Sequence, residues 1–219
     1  KSTWVRYQKM KAFVLFLREV ESTHQPAIDA MVSAKAHGLD AEMFEGYTPS
    51  RADEYIKREN LQPYFPGPKL YKIKWNKGGV RGCMISHLEM WKKCVELDET
   101  VVILEHDSIV VSDSYKTPFD ELLHLDKHRF VEPDPDLGQE PSIQKLEHYR
   151  KGQQQLQGTY GYVIKPKTAE RLIRGAYEEG LTAADMFVKD LYCNIQVVTP
   201  RAVKVNNQES LTSNRNFYI

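Results

Sequence analysis

Apolar residues over the first 46 positions follow a pattern that predicts a strand, a helix and a second strand. Residues 12–17 form a short, continuous apolar run, which is typical of a strand buried on both faces. Apolar residues then recur at helical spacing from Pro26 to Gly38, where glycine favours the end of a helix. Residues 41–45 predict a second strand that ends before Gly46 and runs parallel to the first. This order is typical of nucleotide-binding α/β proteins.

The rest of the chain also shows the pattern of an α/β protein. Helical spacing indicates a helix over residues 82–97, and the apolar run 101–104 indicates another buried strand. The remaining predicted elements are a strand, two helices and a last strand, at residues 159–164, 168–177, 184–191 and 195–198.

Two stretches are too polar and too rich in Pro and Gly to predict regular structure throughout. Residues 48–79 are predicted to be mainly loop with a short helix near 53–59, and residues 131–157 to be one long loop. Long loops beside a site often act as lids, so both stretches are candidate lids or inserts. The chain has 219 residues, enough for one good core, and we expect a single domain over residues 1–219.

The charge of the chain disfavours a nucleic-acid partner. Thirty Lys and Arg residues balance thirty Asp and Glu residues, and no run of five like charges suggests a polyanion-binding tail. No apolar run approaches the roughly 20 residues that span a bilayer, so we expect no transmembrane segment here. The sequence begins at Lys1 and not at methionine, so a leader, an anchor or a further domain could precede it.

The three cysteines, Cys83, Cys94 and Cys193, form no C-x-x-C pair. Their odd number fits reduced thiols better than a disulfide framework, and each is interpreted as a small buried apolar residue. A cytoplasmic location is therefore expected.

Glu105 and Asp107 stand directly after the predicted strand 101–104. Ligands of open α/β sheets bind at the carboxyl ends of strands, so this position marks the pair as a candidate site. The two carboxylates of an E-x-D triplet can reach one hard divalent cation such as Mg²⁺ or Mn²⁺. Such an ion could neutralise a diphosphate leaving group as a Lewis acid. The alternative is that the triplet is solvated loop, as most such triplets are.

The segment 79–91 reads G-V-R-G-C-M-I-S-H-L-E-M-W, and residues 103–107 read I-L-E-H-D. Together they resemble glycosyltransferase family 25, the lipooligosaccharide and procollagen galactosyltransferase group. The family pattern is G-x-x-G-C-x-x-S-H-x-x-x-W, followed by an apolar strand that ends in L-E-D-D. The chain matches this pattern, in order, at Gly79, Gly82, Cys83, Ser86, His87, Trp91, Leu104, Glu105 and Asp107.

Weaker matches extend the resemblance over nearly the whole chain. They are the opening strand to Arg18, F-E-G at 44–46, G-T-Y-G-Y at 158–162 with Ile164, Pro166 and Ala169, the pair Ala184 and Asp185 in place of P-x-D, and Pro200 and Gln208. The resemblance implies a GT-A, Rossmann-like nucleotide-sugar-binding domain with a central mixed, mostly parallel sheet. It also implies Mn²⁺ or Mg²⁺, a UDP-sugar donor carrying galactose or glucose, and inversion at the anomeric carbon. The acceptor would be a hydroxyl of a glycan, glycolipid or protein, in lipopolysaccharide biosynthesis or a related process.

The resemblance also assigns roles to single residues. Asp185 is expected to be the general base that inversion requires. Glu105 and Asp107 are expected to hold the metal, with His106 as a further candidate ligand. The residues expected to bind the donor are Leu17, Arg18, Glu45, Gly46, Ser86, His87 and Glu105.

Several of these residues also have ordinary structural explanations. Asp185 could cap a helix, and His87 could satisfy a buried backbone group. Trp91 is interpreted as core rather than as a sugar platform. Tyr160 and Tyr162 could stack on a sugar, but strand alternation makes one of them core.

Two departures from the family pattern bear on function. His106 replaces the middle Asp of E-D-D, and the second Arg usual after the opening strand is missing, with His24 nearby instead. The first departure motivates an alternative, a catalytically inactive sugar- or nucleotide-binding protein of the same fold. A nucleotidyltransferase would also use carboxylates and Mg²⁺, but the sequence has no Gly-rich phosphate loop followed by Lys.

Overall fold

The computed structural model describes residues 9–65, 70–126, 140–145, 155–156 and 158–206. Within these ranges the strands are β1 (Lys11–Phe16), β2 (Asp40–Glu45), β3 (Val101–Leu104), β4 (Ser108–Val110), β5 (Leu122–His124), β6 (Ser142–Lys145), β7 (Gly161–Ile164), β8 (Ile195–Thr199) and β9 (Val203–Val205). The α-helices are α1 (His24–Ala36), α2 (Pro49–Arg58), α3 (Leu70–Trp75), α4 (Gly78–Leu97), α5 (Pro166–Glu178) and α6 (Ala184–Phe187). Short 3-10 helices, Glu21–Thr23 and Asp113–Lys116, precede α1 and β5.

One sheet contains the strands in the order β2-β1-β3-β7-β5-β8-β6. β1 pairs in parallel with β2 and β3, and β5 pairs in parallel with β8. β7 runs antiparallel to both β3 and β5, and β6 runs antiparallel to β8. All strands of this sheet except β7 and β6 therefore share one direction, which confirms the expected mixed, mostly parallel sheet. β4 and β9 form a separate antiparallel pair.

Successive side chains of a strand point to opposite faces of the sheet. In this sheet both faces are covered, each by its own core. Phe13 and Leu15 of β1 join the larger core, which contains α4 residues such as Trp91. Ala12 and Val14 join the smaller core on the other face. On that face α1 contributes a row of fully buried small residues, Ala27, Ala30 and Ala34.

The predicted opening unit is confirmed. β1, α1 and β2 begin and end within two residues of the expected positions, and β1 and β2 are parallel. Gly38 follows α1 with a φ of +87°, a left-handed conformation that glycine adopts without strain, so it ends the helix as expected. α4, β3, β7, α5 and β8 also lie where the pattern predicts them, although α4 begins earlier, at Gly78.

The prediction that residues 48–79 are mainly loop is wrong. α2 begins at Pro49 instead of near residue 53, and α3 and the start of α4 occupy much of the remainder. Pro49 suits the first turn of a helix, and the buried Tyr55 anchors α2 to the core. At the end of α3 the Arg81 guanidinium, from α4, donates to the Trp75 carbonyl oxygen (3.1 Å).

Three further predictions need correction. Most of the expected loop 131–157 lies outside the described residues, but 142–145 form strand β6 on the edge of the sheet. The helix expected over 184–191 ends at Phe187, because Val188 is extended and its carbonyl accepts from the Leu156 N–H (3.0 Å). β8 is not the last strand, since β9 follows it and pairs with β4.

No helix in the described part of the chain is long and apolar enough to cross a membrane. The expectation of one domain over residues 1–219 stays a prediction.

Candidate active site

The carboxyl edge of the sheet brings together segments that are distant in the sequence. The ends of β1 and β2 are level, since Phe16 pairs with Glu45. The end of β3 is level with the start of β7, since Leu104 pairs with Gly161. The turns that follow β1, β2 and β3 and the segment that leads into β7 therefore meet at one edge, where α/β sheets bind ligands.

The turn after β1 is held by the start of α1. The Thr23 hydroxyl accepts from the Leu17 N–H (3.1 Å) and lies within hydrogen-bond distance of the Leu17 carbonyl oxygen (3.1 Å). Nε2 of His24 lies 2.9 Å from the Arg18 carbonyl oxygen and 3.2 Å from that of Leu17. Carbonyl oxygens only accept, so Nε2 carries the proton. His24 lies near the position at which the family pattern has a second arginine, and its side chain thus fixes the backbone of this turn.

Glu45 is the centre of a charged cluster beside that turn. Its carboxylate pairs with Arg18 (2.7 Å) and with Arg51 (2.8 Å). The Arg51 guanidinium also donates to the Gly46 carbonyl oxygen (3.3 Å) and lies over the Tyr47 ring. Arg51 was not predicted from the sequence because it lies in the stretch taken as loop.

The turn after β2 lies against the first turns of α4. The Ser86 hydroxyl accepts from the Tyr47 N–H (2.8 Å) and donates to the Gly82 carbonyl oxygen (2.7 Å). A β-carbon on Gly82 would lie 2.3 Å from the Tyr47 carbonyl oxygen, and one on Gly46 would lie 2.9 Å from the Ser86 hydroxyl. Two glycines and one serine therefore allow the helix and the turn to touch through their backbones.

We predict that Gly82→Ala destabilises the protein by about 1–3 kcal/mol, because the added methyl group must displace backbone and not a flexible side chain. Urea unfolding of parent and variant measures the difference. Equal midpoints and slopes for the two proteins would show that the turn after β2 is not held against α4 in this way.

Glu105 follows β3 and is flanked by polar groups. The Thr159 hydroxyl donates to its carboxylate, and Nε2 of His87 lies 3.6 Å from Oε1. Burial acts to raise the pKa of Glu105, but its interactions with His87 and Thr159 outweigh burial and lower the pKa overall. The carboxylate is therefore held ionised.

A buried polar chain supports His87 from behind. The Trp91 indole N–H donates to the Tyr162 hydroxyl oxygen (2.8 Å), and that hydroxyl shares a hydrogen bond with Nδ1 of His87 (2.8 Å). Trp91, Tyr162 and His87 are all fully buried. Trp91 is thus core, as expected, and Tyr162 is the core member of the two tyrosines.

A cavity of about 290 Å³ opens at this edge. Its walls include both polar and apolar side chains, contributed by Lys74, Lys77, Val80, Cys83, Glu105, Gly158, Thr159, Tyr160, Ala183, Ala184 and Asp185. Asp185 lies in the first turn of α6 and its carboxylate accepts from Lys74 (3.2 Å). The helix-cap explanation for Asp185 is wrong, because the N-cap residue is Ala183.

The sequence model of one enzyme family matches residues 28–188, which is more than half of the chain. Its description is glycosyltransferase family 25 (LPS biosynthesis protein). The chain belongs to glycosyltransferase family 25. A comparison with individual curated proteins gave no match. The matched span includes α1 to α6 almost completely. The site residues named above that lie outside it are Leu17, Arg18, Thr23 and His24.

Membership of family 25 supports a glycosyltransferase that uses a nucleotide-sugar donor and a glycan acceptor. In this family 25 chain the cavity joins Glu105 and Asp185, two of the residues expected from the sequence. Ser86 and His87 lie behind the cavity wall and are buried, so the structure shows them supporting neighbouring groups. Arg18 and Glu45 form their own cluster at the same sheet edge.

Of the two carboxylates after β3, Glu105 lines the cavity, whereas Asp107 is not among the described residues that line it. The burial of Asp107 is the observation that bears on a divalent cation. Asp107 is only 2% exposed, and within the described part of the chain its Oδ1 is buried without a hydrogen-bond partner. Burial, followed by the charge of Glu105, raises the pKa of Asp107 to about 7. A hard cation would remove both the unpaired oxygen and the repulsion between the carboxylates. His106 is less buried, and its pKa is lowered by burial, against the effect of Glu105.

Besides Arg51, the polar residues Thr159, Lys74 and Lys77 of the site were not singled out by sequence reasoning. Thr159 lies in the matched G-T-Y-G-Y segment, so its position was signalled but its contact with Glu105 was not. Lys74 and Lys77 come from the stretch predicted as loop, and nothing in the local pattern pairs Lys74 with Asp185.

Proposed function

We propose that this chain is an inverting, metal-dependent glycosyltransferase that moves a hexose, galactose or glucose, from a UDP-sugar to a hydroxyl group. The acceptor is a hydroxyl of a glycan, glycolipid or protein. The observation that carries the proposal is the cavity at the carboxyl edge of the sheet, whose wall contains both Glu105 and Asp185. A cavity with one carboxylate for the donor side and one for the acceptor side suits a direct displacement.

Inversion needs one base that removes the proton of the acceptor hydroxyl while the diphosphate leaves on the opposite side of the sugar. Asp185 is our candidate for this base. Its carboxylate faces the cavity and carries one ionic partner among the described residues, the Lys74 ammonium at 3.2 Å. The acceptor hydroxyl would share or replace this contact when it binds.

The metal would be held by Glu105 and Asp107, with His106 as a further ligand, and Mn²⁺ or Mg²⁺ would supply Lewis-acid neutralisation of the diphosphate. Glu105 is supported for this role by Thr159, which donates to its carboxylate. Asp107 would contribute a buried carboxylate oxygen, Oδ1, that no described residue hydrogen-bonds.

The donor nucleotide would lie along the turns after β1 and β2. Arg18 is 72% exposed at its side chain, so its guanidinium can turn from Glu45 towards a phosphate, which it would bind through two parallel N–H groups. When Arg18 leaves Glu45, Arg51 would still neutralise the Glu45 carboxylate, because it pairs with the other carboxylate oxygen. The absence of a side chain at Gly46 would let the nucleotide approach the backbone.

Incubating the protein with UDP-galactose or UDP-glucose, Mn²⁺ and a panel of glycan acceptors tests the proposal. We expect UDP release that rises with acceptor and a product with inverted anomeric configuration. An inactive binding protein would bind UDP without releasing it from the sugar nucleotides, and a nucleotidyltransferase would act at the diphosphate and release no UDP. A product with retained configuration would contradict the assignment of a single base.

We predict that Ser86→Ala lowers UDP affinity as well as stability. The substitution leaves the Tyr47 N–H without its partner, which costs about 1–3 kcal/mol and frees the turn after β2. Ser33→Ala is a matched control, because Ser33 donates to the Ala30 carbonyl (2.7 Å) and accepts from the Val110 N–H (3.0 Å) on the other face of the sheet.

Calorimetric titration with UDP and Mn²⁺, together with urea unfolding, separates the two variants. Both are expected to lose stability, but only Ser86→Ala is expected to bind UDP more weakly. Equal UDP affinities for the two variants would show that the turn after β2 does not contact the donor.

A further inference from the structure

A second set of metal-binding atoms lies on the side of Glu105 that faces α4. The sulfur of Cys83, a ring nitrogen of His87 and a carboxylate oxygen of Glu105 all lie within 4.8 Å of one another. We infer that these three side chains form a Zn²⁺ site. It shares Glu105 with the metal site proposed above, but its other ligands are Cys83 and His87 instead of Asp107.

The histidine provides the independent evidence for a ligand. Nε2 of His87 belongs to a fully buried side chain and has no hydrogen-bond partner among the described residues. Its separation from Oε1 of Glu105, 3.6 Å, is too long for a hydrogen bond. Two ligands of one tetrahedral zinc, at bond lengths of about 2.0–2.3 Å, stand roughly 3.3–3.8 Å apart. The histidine and carboxylate are therefore already at the spacing that a shared zinc ion requires.

The other ring nitrogen of His87 is held by a hydrogen bond, as the second nitrogen of metal-bound histidines is, although here the partner is a hydroxyl. Nδ1 of His87 hydrogen-bonds to the Tyr162 hydroxyl (2.8 Å), which also accepts from the Trp91 indole N–H (2.8 Å). In the zinc-bound form Nδ1 carries the ring proton and donates a hydrogen bond to the Tyr162 oxygen, and the Tyr162 O–H turns away from Nδ1. This tautomer leaves the Nε2 lone pair free for the metal. The ring plane is fixed in advance by these buried neighbours.

The composition of the site favours zinc over the hard cations. One sulfur, one imidazole nitrogen and one carboxylate suit Zn²⁺, whereas Mg²⁺ prefers oxygen ligands alone. Binding forms the Zn–S, Zn–N and Zn–O bonds and releases the Cys83 thiol proton to solvent, with no change of oxidation state. Cys83 and Glu105 both line the cavity, so the ion can enter and its fourth position can hold water.

A zinc ion at this site would engage Glu105 and withdraw it from the donor-side metal. This consequence rests on the proposed function, whereas the site itself does not. Zinc is therefore expected to inhibit the transfer reaction, and the inhibition should depend on Cys83.

The site is tested first by binding, without any activity. Tag-free, reduced protein is titrated with Co²⁺, a spectroscopic substitute for Zn²⁺, in the presence of excess Mg²⁺. We expect a near-ultraviolet sulfur-to-cobalt charge-transfer band at one equivalent, which Zn²⁺ abolishes. Cys83→Ser should lose the band and bind Zn²⁺ more than about 100-fold more weakly, since even outer-shell changes cost metal sites about 10- to 100-fold. Cys193→Ser, which replaces a buried thiol that is not part of the site, should keep both the band and the Zn²⁺ affinity.

Near-ultraviolet circular dichroism verifies that each variant is folded, and Cys83→Ala replaces Cys83→Ser if the latter is not. A missing band in the parent protein, or a band that survives in the folded Cys83 variant, overturns the site. Tyr162→Phe, which keeps the ligands but removes the partner of Nδ1, is expected to weaken Zn²⁺ binding about 10-fold. Unchanged affinity in this variant would contradict the assignment of His87 as a ligand.

The regulatory consequence is tested with the transfer assay, each variant being compared with its own zinc-free rate. Zinc should inhibit the parent and the Cys193→Ser protein and spare the Cys83→Ser protein. If the cobalt band is present but no activity exists with any UDP-sugar, the proposed function fails and the zinc site stands. If transfer occurs without zinc inhibition while zinc binds at Cys83, sharing of Glu105 is wrong.

Discussion

Asp107→Asn is expected to abolish sugar transfer and at the same time to stabilise the metal-free protein at neutral pH. The loss of transfer follows from the proposed metal role, since asparagine supplies one neutral oxygen in place of a carboxylate. We expect a fall in kcat of at least about 100-fold with Mn²⁺ at any concentration. Activity near that of the parent would show that Asp107 does not hold the metal.

The stability effect has the opposite sign because the folded protein raises the pKa of Asp107 from 3.8 to about 7. Between these two values the folded state holds more protons than the unfolded state, so the contribution of Asp107 to stability falls as pH rises through this window. Asparagine does not ionise, so the variant does not lose this stability as the pH rises. Metal-free Asp107→Asn should therefore exceed the parent in unfolding free energy by on the order of 1–3 kcal/mol above pH 7, with the difference vanishing near pH 4.

Urea unfolding in chelator at several pH values measures this difference, and added Mn²⁺ should raise the stability of the parent alone. Asp126→Asn is the matched control, because Asp126 is buried nearby and pairs with Arg201 (3.7 Å). Its replacement should lower stability and reduce transfer much less. Equal losses of transfer in the two variants would show that the loss of one negative charge in this region lowers the rate, and not the loss of a metal ligand at Asp107.

Asp185→Asn is expected to lower kcat by about 100-fold or more while UDP affinity stays unchanged. Asparagine keeps the size of the side chain and can still accept from Lys74, but it cannot take a proton from the acceptor. Because Asp185 is not the N-cap of α6, the substitution leaves the capping of that helix untouched. The readouts are initial rates at saturating donor and acceptor, and calorimetric titration with UDP.

Two controls separate proton transfer from loss of charge. Lys74→Met removes the same ion pair but keeps the carboxylate, so its kcat should fall far less. Asp190→Asn replaces an exposed aspartate shortly after α6 and should leave the rate unchanged. Transfer by Asp185→Asn close to the parental rate would make Asp190 and Glu209 the next candidates for the base, and Glu209 lies outside the described residues.

The elements that could be predicted from the sequence are those whose pattern is set by their own burial. Residues of β1 and β3 are buried almost throughout, and a continuous apolar run records that directly. α4 could be predicted because buried apolar residues such as Met84, Leu88 and Trp91 recur at helical spacing. The edge strand β6 could not be predicted this way, since its side chains are mainly exposed and its hydrogen bonds to β8 hold it.

The candidate site was predictable in part for the same reason. The rule that ligands bind at the carboxyl ends of strands located Glu105 and Asp107, because it depends only on where β3 ends. It could not show that Thr159 and His87 would flank Glu105 while an oxygen of Asp107 would be buried unpaired. Such relations depend on side-chain directions beyond the strand, where alternation no longer holds. The Lys74 and Asp185 pair joins α3 to α6, and local sequence contains no information on that contact.

The row of buried alanines on α1 has a consequence for how this enzyme can change. Ala27, Ala30 and Ala34 let the helix lie close to the sheet, and the start of the same helix, through Thr23 and His24, holds the turn after β1. A larger side chain in the row would lift the helix and shift that turn, since a packed core transmits added volume as backbone movement. If the donor lies along the turn after β1, as proposed, its fit could therefore change through single methyl groups on this helix, with every residue of the cavity wall left as it is.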